Sequence, residues 1–284
     1  MTPLELLPSG VYLKREDVHE LGAFKWRGAL PVLEQYGGDV VTASTGNHGA
    51  ATAWAARKLG VRATVFVPEQ ASATKVAHIE RLGAEIRRAG ADMDEAKEVG
   101  RAEADARGLP FLEDGAEPAQ YEGYAAIGHE ILDQLGEPPA AVVVPVGNGA
   151  LLGGIGRALL RRSPHTLRIG VVAAAAPVMA DSWEAGRAVE SSESATFADG
   201  LAVRVAIPYA VEALNEVATH MLRVTETEIA QAVLRYAEAG IRAEGAAGAA
   251  PAALPQLPEL DGPVVLILTG RNIDDELLER LPEI

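Results

Sequence analysis

The chain has 284 residues, 48% of them apolar, enough for one large domain or two modest ones with real cores. A formal net charge of −15 excludes nucleic acid and anionic membrane as partners, because both need clustered Lys and Arg. The absence of cysteine excludes disulfides, thiolate metal sites and cysteine nucleophiles. No apolar run reaches membrane-spanning length, and Met1-Thr2-Pro3-Leu4-Glu5 lacks a basic region, so a soluble cytoplasmic protein is expected.

Lys14 stands among Arg15, Glu16 and Asp17 and is expected to be solvated. Lys25 differs from the other lysines in lying between Phe24 and Trp26, in Leu21-Gly22-Ala23-Phe24-Lys25-Trp26-Arg27-Gly28. Val40–Ala43 reads as a strand that ends at the turn Ser44-Thr45-Gly46-Asn47-His48-Gly49. A helix over Ala50–Leu59, stopped by Gly60, leads to a strand over Arg62–Pro68 and a helix over Ser72–Leu82. Ala84–Arg87 reads as a strand, Met93–Arg107 as a polar amphipathic helix, and Leu109–Leu112 as a further strand. This alternation predicts a parallel sheet with helices on both faces.

The second half repeats the grammar. Helical Glu122–Leu135 precedes a buried strand, Ala140–Val146, then the turn Gly147-Asn148-Gly149-Ala150 and a helix to Arg162. Leu167–Ala173 is a strand, Asp181–Gly200 a polar loop, and Glu226–Ala239 a helix capped by Thr225. Ala246–Leu254 reads as one small-residue helix, and Val264–Leu268 as a last buried strand ending at Thr269-Gly270-Arg271-Asn272. In open parallel sheets, ligands bind beyond the carboxyl ends of strands. Ser44–Gly49, Gly147–Ala150 and Thr269–Asn272 all hold that position, so turns on a shared sheet can converge on one ligand.

A lysine kept in an apolar pocket is nucleophilic and forms imines with carbonyls. Glycine turns at helix starts offer backbone N–H groups to an anion. Gly147–Ala150 suits a phosphate; the alternative is a tight turn with no ligand. A nicotinamide site is the main competitor, but it expects an acidic residue after the next strand, where Ala173-Ala174 stand. Asn47 and His48 read either as ligand contacts or as pins of their turn, and Glu244-Gly245 either as a site residue or as a helix cap.

In order and spacing these segments, with Thr2-Pro3-Leu4, Leu13–Glu16, Thr196–Gly200 and Glu244–Gly248, resemble the fold type II pyridoxal-phosphate enzymes, especially the threonine/serine dehydratase and serine racemase group. The resemblance implies an α/β protein of two doubly wound sheets with the active site between a large and a small domain. Residues 1–39 and 119–284 would form the large cofactor-binding domain, and 40–118 the small one inserted in it. The implied cofactor is pyridoxal 5'-phosphate, and the implied partners are a small amino-acid substrate and a second copy of the chain in a homodimer.

Residue by residue, the resemblance gives Lys25 the covalent bond to the cofactor and the transfer of the substrate α-proton. Phe24 would pack on the cofactor ring, Asn47 would bond its 3-hydroxyl oxygen, and Thr269 would face its pyridine nitrogen. Gly147, Asn148, Gly149 and Ala150 would cradle the phosphate, with Glu244 near the ring. Ser44, Thr45, Gly46, Asn47 and His48 would clasp the substrate carboxylate. Thr45 stands where racemases of the group carry an acid/base serine. Some relatives hold a metal near the position of Asp199, and the ligand set is not legible here. The expected activity is conversion of a β-hydroxy amino acid, such as threonine or serine, to a 2-oxo acid and ammonia. The alternatives are a replacement enzyme similar to threonine synthase or cysteine synthase, a racemase, and a binding protein on the same scaffold.

Overall fold

The computed structural model describes residues 1–192 and 194–284. The chain divides into two compact units, one of Met1–Phe24 with Tyr124–Ile284 and one of Lys25–Gly123.

In chain order the first unit opens with strands β1 (Leu4–Leu6) and β2 (Tyr12–Arg15). The second unit holds α1 (Trp26–Tyr36), β3 (Val40–Ala43), α2 (Asn47–Leu59), β4 (Ala63–Val67), α3 (Ala73–Arg81), β5 (Glu85–Arg88) and α4 (Met93–Arg107). Helix α5 (Pro118–Leu135) begins in the second unit and ends in the first. The first unit continues with β6 (Ala141–Pro145), α6 (Ala150–Arg162), β7 (Leu167–Ala173), α7 (Val178–Ala185), α8 (Pro208–Val217) and β8 (His220–Val224). It closes with α9 (Glu226–Glu238), α10 (Ala249–Ala252), β9 (Val264–Leu268) and α11 (Asp275–Arg280).

The sheet of the first unit runs β1-β2-β9-β6-β7-β8, parallel except for the β1–β2 pair. Its central strands are buried along their length, as a parallel sheet covered on both faces requires. Val143, Val171 and Leu266 face a core shared with Ile229, Tyr236 and Ala250 of α9 and α10. Gly170 faces the other way, where a Cβ would meet Leu152 of α6. In the second unit the sheet is β3-β4-β5, all parallel. Val65 and Val67 pack with Val76 and Ile79 of α3 on one face, and Phe66 with Ala104 of α4 on the other.

The second unit takes in α1, which packs along α2. Pro31 lies inside α1 and removes the N–H that would bond the Arg27 carbonyl. Helix α5 passes at that point so closely that a Cβ on Gly123 would lie 1.9 Å from Arg27 O.

Four expectations need correction. Lys14 is wholly buried, and its Nζ donates to Glu130 at 2.6 Å, Gln134 at 2.8 Å and the Thr2 carbonyl at 2.7 Å. The cause is its position on β2, an interior strand between β1 and β9. Leu109–Leu112 supplies one bridge, Phe111 to Val41, because Pro110 has no N–H for a longer ladder. Residues 181–185 of the expected loop belong to α7, which Gly186 closes at φ 66°. The expected helix Ala246–Leu254 is broken into 3-10 turns around the four-residue α10, since Pro251 and Pro255 interrupt the helical hydrogen bonds.

Candidate active site

In the second unit, Lys25 precedes the first turn of α1 with helical backbone angles, φ −58° and ψ −24°. Its Nζ forms an ion pair with Asp114, and both side chains are largely buried. The turn carrying Asp114 is built by Gln120, which accepts from Gly115 N at 2.8 Å and donates to Asp114 Oδ1 at 3.2 Å. The Tyr121 hydroxyl donates to Gly115 O at 2.7 Å and closes the turn.

His48 stands on the other side of that carboxylate, with Nδ1 3.6 Å from Asp114 Oδ1. Its Nε2 lies 3.0 Å from Thr42 Oγ1, and Thr42 Oγ1 donates to Leu112 O at 2.7 Å. A hydroxyl has one proton, and a carbonyl can only accept. Thr42 therefore accepts from His48, and the imidazole carries its proton on Nε2. Burial holds His48 below the ordinary histidine range; Lys25 and Lys97 push the same way, and the Asp114 carboxylate opposes them.

The loop after β3 begins with Ser44 Oγ accepting from Gly46 N at 3.1 Å. A Cβ on Gly49 would sit 2.7 Å from Ser44 O, so the loop closes onto α2 only with glycine there. Ser44, Thr45 and Asn47 are half-buried and Gly46 is exposed, while the His48 side chain turns inward toward β3. The first N–H groups of a helix have no acceptor within it, and this loop lies at that end of α2.

In the first unit, Gly147–Ala150 joins β6 to α6. A Cβ on Gly147 would lie 2.2 Å from Gly200 O, and Gly149 takes φ +92° with Leu214 Cδ1 2.9 Å from where a Cβ would be. Asn148 Oδ1 accepts from Ala150 N at 3.1 Å. Thr269, just after β9, is buried and donates to Glu244 Oε1 at 2.9 Å. Glu244 N donates to Gly270 O, and a Cβ on Gly270 would approach Glu244 Oε2 to 2.7 Å. Phe24 N donates to Thr269 O at 3.1 Å, and the Phe24 ring meets Tyr124 edge-on at 5.1 Å.

The structure thus brings Lys25 together with the His48 end of the Ser44–His48 loop, and Phe24 together with Thr269 and Glu244. The three strand-end turns do not share a sheet: Ser44–Gly49 follows β3, while the other two follow β6 and β9. Sequence reasoning missed Asp114, Thr42 and Gln120. The one available signal was the Glu113-Asp114-Gly115 turn after an apolar segment, and nothing in the sequence ties it to a lysine 89 positions earlier. Among the described residues no group of three His, Asp or Glu side chains is disposed as metal ligands.

A half-buried, acid-paired lysine ahead of a helix and a glycine turn at a helix start, on parallel sheets, are the parts of an imine-forming phosphate-cofactor enzyme. The chain belongs to the pyridoxal-phosphate-dependent enzyme family, whose pattern matches residues 1–270. Within that family it is 35% identical over 278 residues to the L-threonine ammonia-lyase of Geobacter sulfurreducens, covering 95% of this chain and 69% of that one. It superposes on the processed form of threonine deaminase isoform 2 from Solanum lycopersicum with a TM-score of 0.93 at 29% identity, covering 99% of this chain and 87% of that one. Maize serine racemase gives 0.90 at 25% identity, with 99% and 91% covered.

The residues present fit the cofactor. Lys25 supplies an amine for an aldehyde. Gly147–Ala150 is a turn whose glycines cannot carry a Cβ without collision, at the head of a 13-residue helix suited to an anion. Glu244 and Thr269 form a buried polar pair at the end of β9.

Proposed function

We propose that the chain is a pyridoxal-phosphate-dependent ammonia-lyase that converts a β-hydroxy amino acid, threonine or serine, to a 2-oxo acid and ammonia. The observation that carries this reading is the Lys25 amine held against Asp114 at the head of α1, in a chain 35% identical to a threonine ammonia-lyase. When bound, the cofactor supplies an aldehyde for amine exchange and a ring that stores the electrons left by α-proton removal.

The remaining work falls to the chain's own residues. Lys25 would hold the cofactor through Nζ, and the same atom would take the substrate α-proton. Gly147, Asn148, Gly149 and Ala150 bind the phosphate through backbone N–H groups and the positive end of α6. Ser44, Thr45, Gly46, Asn47 and His48 would bind the substrate carboxylate at the head of α2, and Asn47 would also bond the cofactor's 3-hydroxyl oxygen. Thr45 is the hydroxyl available for acid/base work on the substrate. Phe24 would pack on the cofactor ring, and Thr269, whose hydroxyl donates to Glu244, would face the ring nitrogen. The reading includes a cytoplasmic homodimer. The cysteine-free composition supports the compartment, and light scattering tests the dimer.

The test is the visible spectrum of the purified protein before and after threonine and serine, with assay of the 2-oxo acid. A cofactor band that shifts on addition, with 2-oxo acid released, is expected. Lys25→Ala is expected to lower turnover by about 10²–10⁴-fold, the usual contribution of a positioned proton-transfer group. A replacement enzyme would instead need a second nucleophile before product appears, and a racemase would return the other enantiomer.

A further inference from the structure

His48 lies in the first turn of α2, and its ring is held from inside the fold. Nε2 stands 3.0 Å from Thr42 Oγ1 and 3.4 Å from Leu112 O, and Thr42 Oγ1 donates to that carbonyl at 2.7 Å. Both side chains are buried. The His48 carbonyl is held as well, accepting from Thr52 Oγ1 at 2.9 Å. The Thr42 proton is spent on Leu112, so the neutral ring carries its own proton on Nε2 and spends it on Thr42. Nδ1 then has only a lone pair, and an ionised carboxylate only accepts. The ring therefore has no donor left for a carboxylate. What His48 keeps is its main-chain N–H, in a turn whose N–H groups have no acceptor within the helix.

We propose that Thr42 is the positioning residue of the carboxylate loop: it holds the His48 ring inward as an Nε2–H imidazole and so fixes the first turn of α2, whose main-chain N–H groups take the substrate carboxylate. Thr42 acts through His48. It lies on β3, two residues before the loop begins, and its bond to His48 ties the strand directly to the helix start. Removing the hydroxyl leaves His48 Nε2–H and the Leu112 carbonyl to meet each other. They stand 3.4 Å apart, where an N–H···O bond takes about 2.9 Å. The ring must then shift by about half an ångström, and the first turn shifts with it. A displacement on that scale at a binding group is enough to weaken what it holds. This inference rests on the carboxylate role of the loop in the proposed function.

The experiment has two arms. In the first, histidine-ring nitrogen NMR of the wild type at about pH 8, above the ordinary histidine range, reads the His48 tautomer. Its signal is assigned by loss in His48→Gln. The Nε2–H form is expected, and the Nδ1–H form overturns the proposal; this arm needs no substitution. In the second, wild type, Thr42→Val and Thr42→Ser, each loaded with pyridoxal phosphate, are titrated with alanine and with ethylamine by the shift of the cofactor band. Alanine has a carboxylate and no hydroxyl to lose; ethylamine has no carboxylate. The dissociation constant of alanine is expected to rise about tenfold in Thr42→Val and to recover in Thr42→Ser, with that of ethylamine unmoved. With threonine or serine the same loss is expected in KM, with kcat within about twofold of wild type. Unmoved alanine affinity in folded Thr42→Val overturns the proposal, as does an equal loss for ethylamine or a wild-type spectrum that alanine does not shift. If alanine binds as expected but threonine and serine yield no 2-oxo acid, the positioning role stands and the ammonia-lyase reading fails instead.

Discussion

The Thr269 hydroxyl gives its single proton to Glu244, over 2.9 Å, at a point where both side chains are buried. A hydroxyl in that arrangement has only lone pairs left for any other neighbour. Glu244 therefore decides what Thr269 can offer. Truncating it in Glu244→Ala strands a buried hydroxyl and is expected to cost about 1–3 kcal/mol. Glu244→Gln keeps an acceptor oxygen and is expected to cost less than about 1 kcal/mol. Urea unfolding of the two variants separates these outcomes, and equal losses would show that the bond contributes nothing.

Lys14 and Glu130 provide a second test. Lys14 is wholly buried, its Nζ meets Glu130 at 2.6 Å, and the Thr2 hydroxyl of the same cluster donates to buried Glu16. Removing one charge leaves the other in a low-dielectric interior, at a cost of about 3–5 kcal/mol. Glu130→Ala is expected to lose stability on that scale. The double variant Lys14→Met, Glu130→Ala is expected to recover part of it, because neither charge is then stranded. Denaturant midpoints of the single and double variants measure the coupling.

Gly147 has no room for a side chain. A Cβ would lie 2.2 Å from the Gly200 carbonyl oxygen, and backbone cannot swing aside as a side-chain end can. Overpacking typically costs about 1–3 kcal/mol, so Gly147→Ala is expected to weaken retention of pyridoxal phosphate about tenfold or more. Equilibrium dialysis against the cofactor reads this directly. Gly38→Ala serves as the comparison, since a Cβ there meets nothing within 4 Å.

The pH profile of stability has a defined sign. His48 and His78 are both held below the ordinary histidine range by burial. Between the folded and unfolded values the unfolded chain binds more protons, so stability rises with pH and falls on acidification below about 6.5. Each ring contributes a slope of up to about 1.4 kcal/mol per pH unit in that window. His48→Gln is expected to flatten the profile by one ring's share in urea unfolding from pH 7.5 to 5. An unchanged slope in that variant would show that His48 is not buried neutral.

Local rules made much of this protein readable. Helix α4 runs over Met93–Arg107 as its pattern predicts, started by Asp92 accepting from Glu95 N and stopped by Gly108 in the left-handed region. Thr225 caps α9 with Glu228 reaching back, a signal contained in four consecutive residues. The strands over Leu167–Ala173 and Val264–Leu268 were legible because buried parallel strands are continuous apolar runs. The oddity of Lys25 between two aromatics was visible as well, because it is a matter of neighbours in sequence.

Partners brought in from afar were not legible. Lys14, with three charged neighbours, reads as solvated, yet its place on an interior strand buries it beside Glu130, 116 positions away. Asp114 reaches Lys25 across 89 positions, and His48 reaches Leu112 across 64. Caps, turns and hydrophobic periods are written within a helical turn or two, so composition and order alone decide them. Counter-ions, tautomers and buried polar pairs depend on which strands become neighbours, and that is settled when the apolar faces close over one another.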